Sequence, residues 1–422
     1  MIYLDYQATT PLAPEALAAM LPWLESQHAN PHSPHAVGRA ARAAVEVARA
    51  QVAALLPPGG RLAFTSGATE ALNWAIKGTS GSIVTLATEH AAVLDTVAAT
   101  GRPVTILPVG ADGLVDLEVA RAAIAPGTGL VAAMLVNNEI GVVQPIAALA
   151  EIAHEAGALF LCDAVQGYGR VPIPPTCDLV AISAHKIHGP KGIGALWVRE
   201  GVTLAPLLHG GGQEALGRSG TLSPALCAGF GAAARVAGAR GAEDAAHVAR
   251  LFAIASERFQ LSPFPLAGAD GGGCDVEVPS SPMSPATLSH PPSDQVNSAP
   301  RCSDPAGGMA NLTLPPAGGR GIRGWTLNGS ASHRYHGNLS LRRDGLDVAR
   351  LMSDLRDIAF SAGSACASGS GRPSHVLRAL GLSDAQARSS IRIGFGRRTT
   401  EEELMTALDR ICAAADAQRV AA

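Results

Sequence analysis

What most limits the folds open to this chain is a repeated order, between residues 60 and 200, of a short apolar run, a turn and a helix-like segment. The runs lie at 62–64, 83–86, 104–108, 130–136, 158–162, 179–182 and 193–198. Strands alternating with helices point to a mostly parallel, doubly wound α/β sheet of seven strands. Two of the runs end in chemistry. The run at 158–162 stops at Asp163, and the run at 179–182 is followed by Ser183, Ala184, His185 and then Lys186, before a Gly/Pro turn. In open parallel sheets, functional groups gather outside the carboxyl ends of the strands.

Most lysines are solvated surface charges. One at the end of a buried strand is different, because desolvation removes part of its charge and makes the amine a nucleophile toward a carbonyl. An acid ending the neighbouring strand strengthens that reading. A carboxylate that keeps a ring nitrogen protonated, beside an amine that holds an aldehyde, is the pair pyridoxal phosphate requires.

The rest of the chain narrows the alternatives. At 422 residues it has length for a large core and two domains, and a net charge of -3 without a basic, aromatic-rich cluster argues against a nucleic-acid partner. No apolar run approaches the roughly 18 residues that cross a bilayer, and the start MIYLDYQATT reads as a strand rather than a signal peptide, so a cytoplasmic enzyme is expected. Seven cysteines, odd in number and without a CxxC pair, read as free thiols and not as a zinc site or disulfide frame. His28, His32 and His35 are spaced irregularly around prolines and read as a loop, so no metal is expected.

Further candidates fall at element ends. Helices are expected at 14–24, with Pro14 in the first turn, and at 38–56, stopped by Pro57 and Pro58. After the run at 62–64, a Ser66–Gly67 turn and a helix opening at Ala68 and Thr69 would aim unpaired N–H groups at an anion, although an ordinary strand-to-helix connection looks the same. His90 follows a strand end and is placed to lie over a ring and exchange protons; a lone histidine is more often a satisfied polar residue. Asn138 follows the run at 130–136 as a donor, and the glycine-rich segment 209–221 carries Arg218, Ser219 and Thr221. Helices then run from 223 to about 260.

From 261 to 320 the composition changes: eleven of the 29 prolines fall in these sixty residues, without hydrophobic periodicity, so a surface insertion is expected there. Cys366 sits among small residues in SAGSACASGSG, as an exposed thiol on a tether would, or as an accidental surface cysteine. Arg392 lies on a strand, where its fork would grip a substrate carboxylate, ahead of a helix capped by Thr400 and Glu403.

Taken together, YLDYQATTP, ANPHS, FTSGATEA, TEHAAVLDT, NNEIGVVQPI, CDAVQGYG, SAHKIHGPKGIGAL, HGGGQE with RSGT, SAGSACASGS and SSIRIGFGRRTTEEE resemble, in order, the cysteine desulfurases of the class V, fold-type-I pyridoxal phosphate enzymes. The resemblance spans nearly the whole chain except roughly 261–325. It implies a large cofactor-binding domain over 15–250 and a small domain from 1–14 and 251–422, interrupted at about 261–323. It implies that Lys186 carries the cofactor aldehyde, Asp163 pairs with the ring nitrogen and His90 stacks on the ring. Ala68, Thr69, Ser183, His185 and a Thr221 lent by a second subunit would hold the phosphate, with Asn138 and Gln166 at the ring hydroxyl. Asn30 and Arg392 would bind the carboxylate of L-cysteine. Cys366 would accept the sulfur as a persulfide, its thiol (ordinarily of pKa about 8.5) helped by His90. Its loop is similar to that of the group feeding iron-sulfur assembly, which implies a sulfur-acceptor protein and a homodimer.

Selenocysteine lyase or an aminotransferase would keep Lys186 and Asp163 without needing Cys366. A non-catalytic sulfur-trafficking partner would be expected to have lost these residues, and they are all present.

Overall fold

In a computed structural model the described residues are 1–261, 324–363 and 372–420. The expected insertion at about 261–323, with Cys274 and Cys302, and the segment holding Cys366 lie almost wholly outside them. A short strand β1 (Ile2–Tyr3) opens the chain, followed by helices α1 (Pro14–Glu25) and α2 (Ala36–Ala53). The second helix starts two residues before its sequence-read position, because His35 caps it by accepting from the Gly38 N–H, and it ends four residues ahead of Pro57.

The core sheet is built from β2 (Gly60–Thr65), β3 (Ser82–Leu86), β4 (Val104–Leu107), β5 (Thr128–Met134), β6 (Leu159–Asp163), β7 (Leu179–Ser183) and β8 (Gly194–Arg199). Helices α3 (Ala68–Lys77), α4 (Ala91–Ala99), α5 (Leu117–Ala123) and α6 (Ile146–Glu155) connect the strands, and α7 (Pro224–Arg258) follows them as one 35-residue helix where several were expected. Its length is possible because its many small residues, such as Ala233 and Ala234, pack tightly along its buried face.

The strand order is β2-β8-β7-β6-β5-β3-β4, and β8 alone runs against its neighbours. The reason is the β7–β8 connection. It holds only residues 184–193, with a single turn of 3-10 helix, too little for a parallel crossover. That short connection carries Lys186.

Both faces of the sheet are buried, so the two-residue strand period feeds two cores. Phe160, Cys162, Val180, Ile182 and Trp197 pack with α2, α6 and α7; Leu161, Leu179, Ala181 and Leu196 pack with α3 and α4. Each such fully buried aliphatic side chain contributes roughly 1.5–3 kcal/mol. Continuing the alternation puts Asp163 on the α3/α4 face, at the carboxyl end of β6.

A second, antiparallel sheet has the order β12-β13-β10-β9: β9 (Thr326–Leu327), β10 (Asn338–Arg342), β12 (Ser361–Ala362) and β13 (Ser390–Gly394). Strand β11 (Ile358–Ala359) pairs with β1. Helices α8 (Val348–Asp354), α9 (His375–Ala379), α10 (Asp384–Arg388) and α11 (Glu401–Val420) complete this part. Leu4, Leu251, Leu339, Ile391, Ile393 and Leu408 share its core. The expected cap is present: Thr400 and Glu403 exchange side-chain to backbone hydrogen bonds of 3.1 Å at the start of α11.

Candidate active site

The carboxyl ends of the strands meet the segment Asp5–Thr10 around a cavity of about 340 Å3. Seven residues singled out from sequence line it: His90, Asn138, Asp163, Gln166, His185, Lys186 and Arg392. They come from six different loops or strands, and only the fold brings them together.

Lys186 is half-buried, and its Nζ donates to the carbonyls of Gln7 (2.5 Å) and Ala8 (2.9 Å). Gln166 also donates to the Gln7 carbonyl, at 2.8 Å, and its own amide oxygen accepts from Arg170. Gln7 and Ala8 were not among the candidates read from sequence. A backbone carbonyl carries no side-chain signal, and only their place in the YLDYQATTP segment pointed there.

Asp163 is 3% exposed and accepts from the Val165 N–H at 3.0 Å. Burial raises its pKa, opposed by that bond, by His90 when it is protonated, and by Lys186. Glu89 was also missed. It is fully buried, one of its oxygens accepts from the Met134 N–H at 2.8 Å, and the other has no partner among the described residues. Burial, then the nearby Asp163, pushes its pKa well above the carboxylate range, so of the two carboxyls Glu89 is the one whose neutral form is more strongly favoured.

His90 caps α4: its Nδ1 accepts from the Ala92 N–H at 3.0 Å, which puts the proton of the neutral ring on Nε2. Burial lowers its pKa, partly offset by Asp163 and reinforced by Lys186. The lowered pKa favours the neutral ring, which can accept or donate a proton. His185 is pushed down to about 4, first by burial and then by the charge of Lys186.

Arg392 is 1% exposed. Its Nη1 donates to the Asn138 carbonyl at 3.0 Å and its Nη2 to Asp5 at 2.7 Å.

Ala68 and Thr69 open α3, and Ser183 ends β7. Gly194 pairs with both Ser183 and Thr65, which places the two strand ends side by side. A Cβ at Gly194 would stand 2.8 Å from the Gly67 carbonyl carbon, so glycine is needed for this approach. No side chain caps α3, which leaves its first N–H groups for an anion. Asn30 and Thr221 are exposed and do not line the cavity. Cys366 lies outside the described residues, but the chain beyond it is fastened to the cavity wall. Ser374 Oγ donates to Glu139, and the His375 ring lies 2.9 Å from the carbonyl of Glu89, next to His90.

Residues 2–270 match the model of the class V aminotransferases, and a relative in Rickettsia bellii named cysteine desulfurase IscS is 40% identical over 428 residues, 97% of this chain and 90% of its own. The chain belongs to the class V aminotransferases, among the cysteine desulfurases. Solved structures agree. A NifS-like protein from Rickettsia africae superposes with a TM-score of 0.78 at 26% identity over 99% of each chain. SspA, in a structure described as in complex with cysteine, gives 0.70 at 30% identity over 94% of this chain and 99% of that one. The expected fold class is the one found, and the family is pyridoxal phosphate-dependent. The class V site fits that group. An amine and a buried carboxylate face one cavity that His90 also lines, and Leu72 of α3, a helix whose start no side chain caps, lines it too. No helix among the described residues is long and apolar enough to cross a membrane.

Proposed function

We propose that this chain converts L-cysteine to L-alanine and carries the sulfur on Cys366 for delivery to a sulfur-acceptor protein in iron-sulfur cluster or thio-cofactor synthesis. The observation that supports this best is the convergence of Lys186, Asp163, His90 and Arg392 on a single cavity.

Pyridoxal phosphate, when bound, supplies an aldehyde for the amino-acid nitrogen and a ring that accepts electrons. Lys186 would hold it, and its amine, aimed by the Gln7 and Ala8 carbonyls, would serve as the base for the α-proton. Asp163 would pair with a positive ring nitrogen, while the raised pKa of Glu89 favours its uncharged form. Ala68, Thr69, Ser183 and His185 would hold the phosphate, with Thr221 of the partner subunit in a homodimer; that Thr221 is exposed and outside its own chain's cavity supports the exchange. Asn138 and Gln166 would border the ring and Arg392 would take the carboxylate; Asn30, exposed and outside this cavity, is not placed on it. His90 moves a proton at Nε2 toward the reacting thiols. In the transfer, the Cys366 sulfur bonds to the substrate sulfur, the carbon–sulfur bond breaks, and the carbon gains a proton to become the alanine methyl.

We assign residues 15–250 to a large domain and 1–14 with 251–422 to a small one, in keeping with the separate core around the second sheet. A reducing cytoplasm suits the described cysteines 162, 177, 227 and 412, which are all free.

The test is mass spectrometry of the holoenzyme after L-cysteine. One added sulfur on the Cys366 peptide is expected, together with released alanine. Undiminished alanine formation by Cys366→Ala would instead mark a lyase that does not need the thiol.

A further inference from the structure

The arginine assigned to the substrate carboxylate already has an anion. Asp5 Oδ1 accepts from Arg392 Nη2 at 2.7 Å, and the pair is shielded, with the arginine side chain 1% and the aspartate 20% exposed. Ser361 holds this arrangement: its Oγ donates to the same Asp5 oxygen at 2.8 Å and accepts from Arg392 Nη2 at 3.2 Å. The other terminal nitrogen is taken by the Asn138 carbonyl, while Nε is buried without a hydrogen-bond partner among the described residues. Arg392 therefore reaches the cavity positioned by three neighbours and neutralised by one of them. Glu139, raised in pKa by burial, also feels the arginine's charge, and its partner is Ser374.

We propose that Asp5 is an internal competitor for the substrate carboxylate, a positioning and specificity-determining residue that lowers the site's affinity for simple carboxylates. The inference rests on the assignment of Arg392 as the carboxylate site. A second anion arriving at one shielded guanidinium meets Asp5 at close range, and like charges so placed oppose each other. A bare carboxylate gains little from a cation that is already paired. An amino acid whose nitrogen is also captured has the additional binding to displace or share the guanidinium with Asp5. The site thereby discriminates against carboxylates that lack the amine. Ser361 lies in the strand that leads toward Cys366, so loosening Asp5 also frees the hydroxyl next to that strand's end.

The experiment uses the holoenzyme and propionate, which has the carboxylate but no amine, with binding read by calorimetry at low salt. Asp5→Asn, which keeps the shape and removes the charge, is expected to bind propionate on the order of tenfold more tightly, with the gain shrinking as salt screens it. Asp5→Glu, which restores the charge, should return affinity toward that of the unaltered protein, and Ser361→Ala should fall between. Unchanged or weaker propionate binding by Asp5→Asn, with Arg392→Lys weakening it, would overturn the competitor role while leaving the arginine assignment standing. If Arg392→Lys has no effect on propionate, the arginine assignment fails and this inference fails with it.

Discussion

Lys186 Nζ reaches the backbone carbonyl of Gln7, 2.5 Å away in space and 179 positions away in sequence. The carbonyl is held in turn by the Gln7 side chain, whose Nε2 donates to the Gly337 carbonyl at 2.7 Å and whose Oε1 rests against Gly394. A Cβ at Gly394 would stand 1.6 Å from that oxygen. Gly394→Ala should therefore displace Gln7, costing about 1–3 kcal/mol by overpacking. Urea denaturation measures the stability, and a drop in turnover larger than the drop in folded fraction would show that Lys186 has lost its aim. A silent Gly394→Ala would contradict the packing.

Lys186→Ala should leave cofactor bound only without covalent attachment. Turnover is expected to fall by roughly 10^3 or more. Desalting should strip the cofactor from the variant but not from the parent, and borohydride should fix cofactor only to the parent.

Replacing Asp163 by Asn keeps the Val165 hydrogen bond and removes the charge that faces the cavity. Turnover should drop by about 10^2–10^3, the scale of losing one preorganised electrostatic partner. Cofactor should stay attached through Lys186, so visible absorbance separates this variant from the lysine one.

Stability should also record the buried histidines. His185 and His188 are both pushed down to about 4, mainly by burial. A histidine whose folded pKa lies below its unfolded value of about 6.5 stabilises the fold fully above pH 6.5. That contribution is lost as pH falls through the folded pKa, because unfolding takes up a proton. Between pH 6.5 and 4, each can steepen the loss by up to about 1.4 kcal/mol per pH unit. His188 lies outside the cavity and has φ 67°, a left-handed conformation that asparagine tolerates. His188→Asn should flatten the pH dependence of the urea midpoint in this window, and an unchanged slope would remove His188 from the account.

Ser374→Ala leaves the buried Glu139 without its hydroxyl donor. A cost of about 1–3 kcal/mol is expected from the orphaned carboxyl group. Thermal melting in the presence of cofactor should show it.

The sequence alone determined what is encoded within a few residues. Short apolar runs between turns specified the strands of the core sheet, and Asp163 and Lys186 were placed at strand ends because the carboxyl end of a buried strand is a local property. It also marked the Thr400–Glu403 cap, whose partners sit three residues apart. Tertiary structure alone decided which groups complete the site. The Gln7 and Ala8 carbonyls under Lys186, the buried Glu89 with its raised pKa beside Asp163, and Asp5 on Arg392, 387 positions away, belong to no local pattern. Hydrogen bonds and desolvation depend on distance in space, and the folding of two sheets around one cavity is what brings those distances within reach.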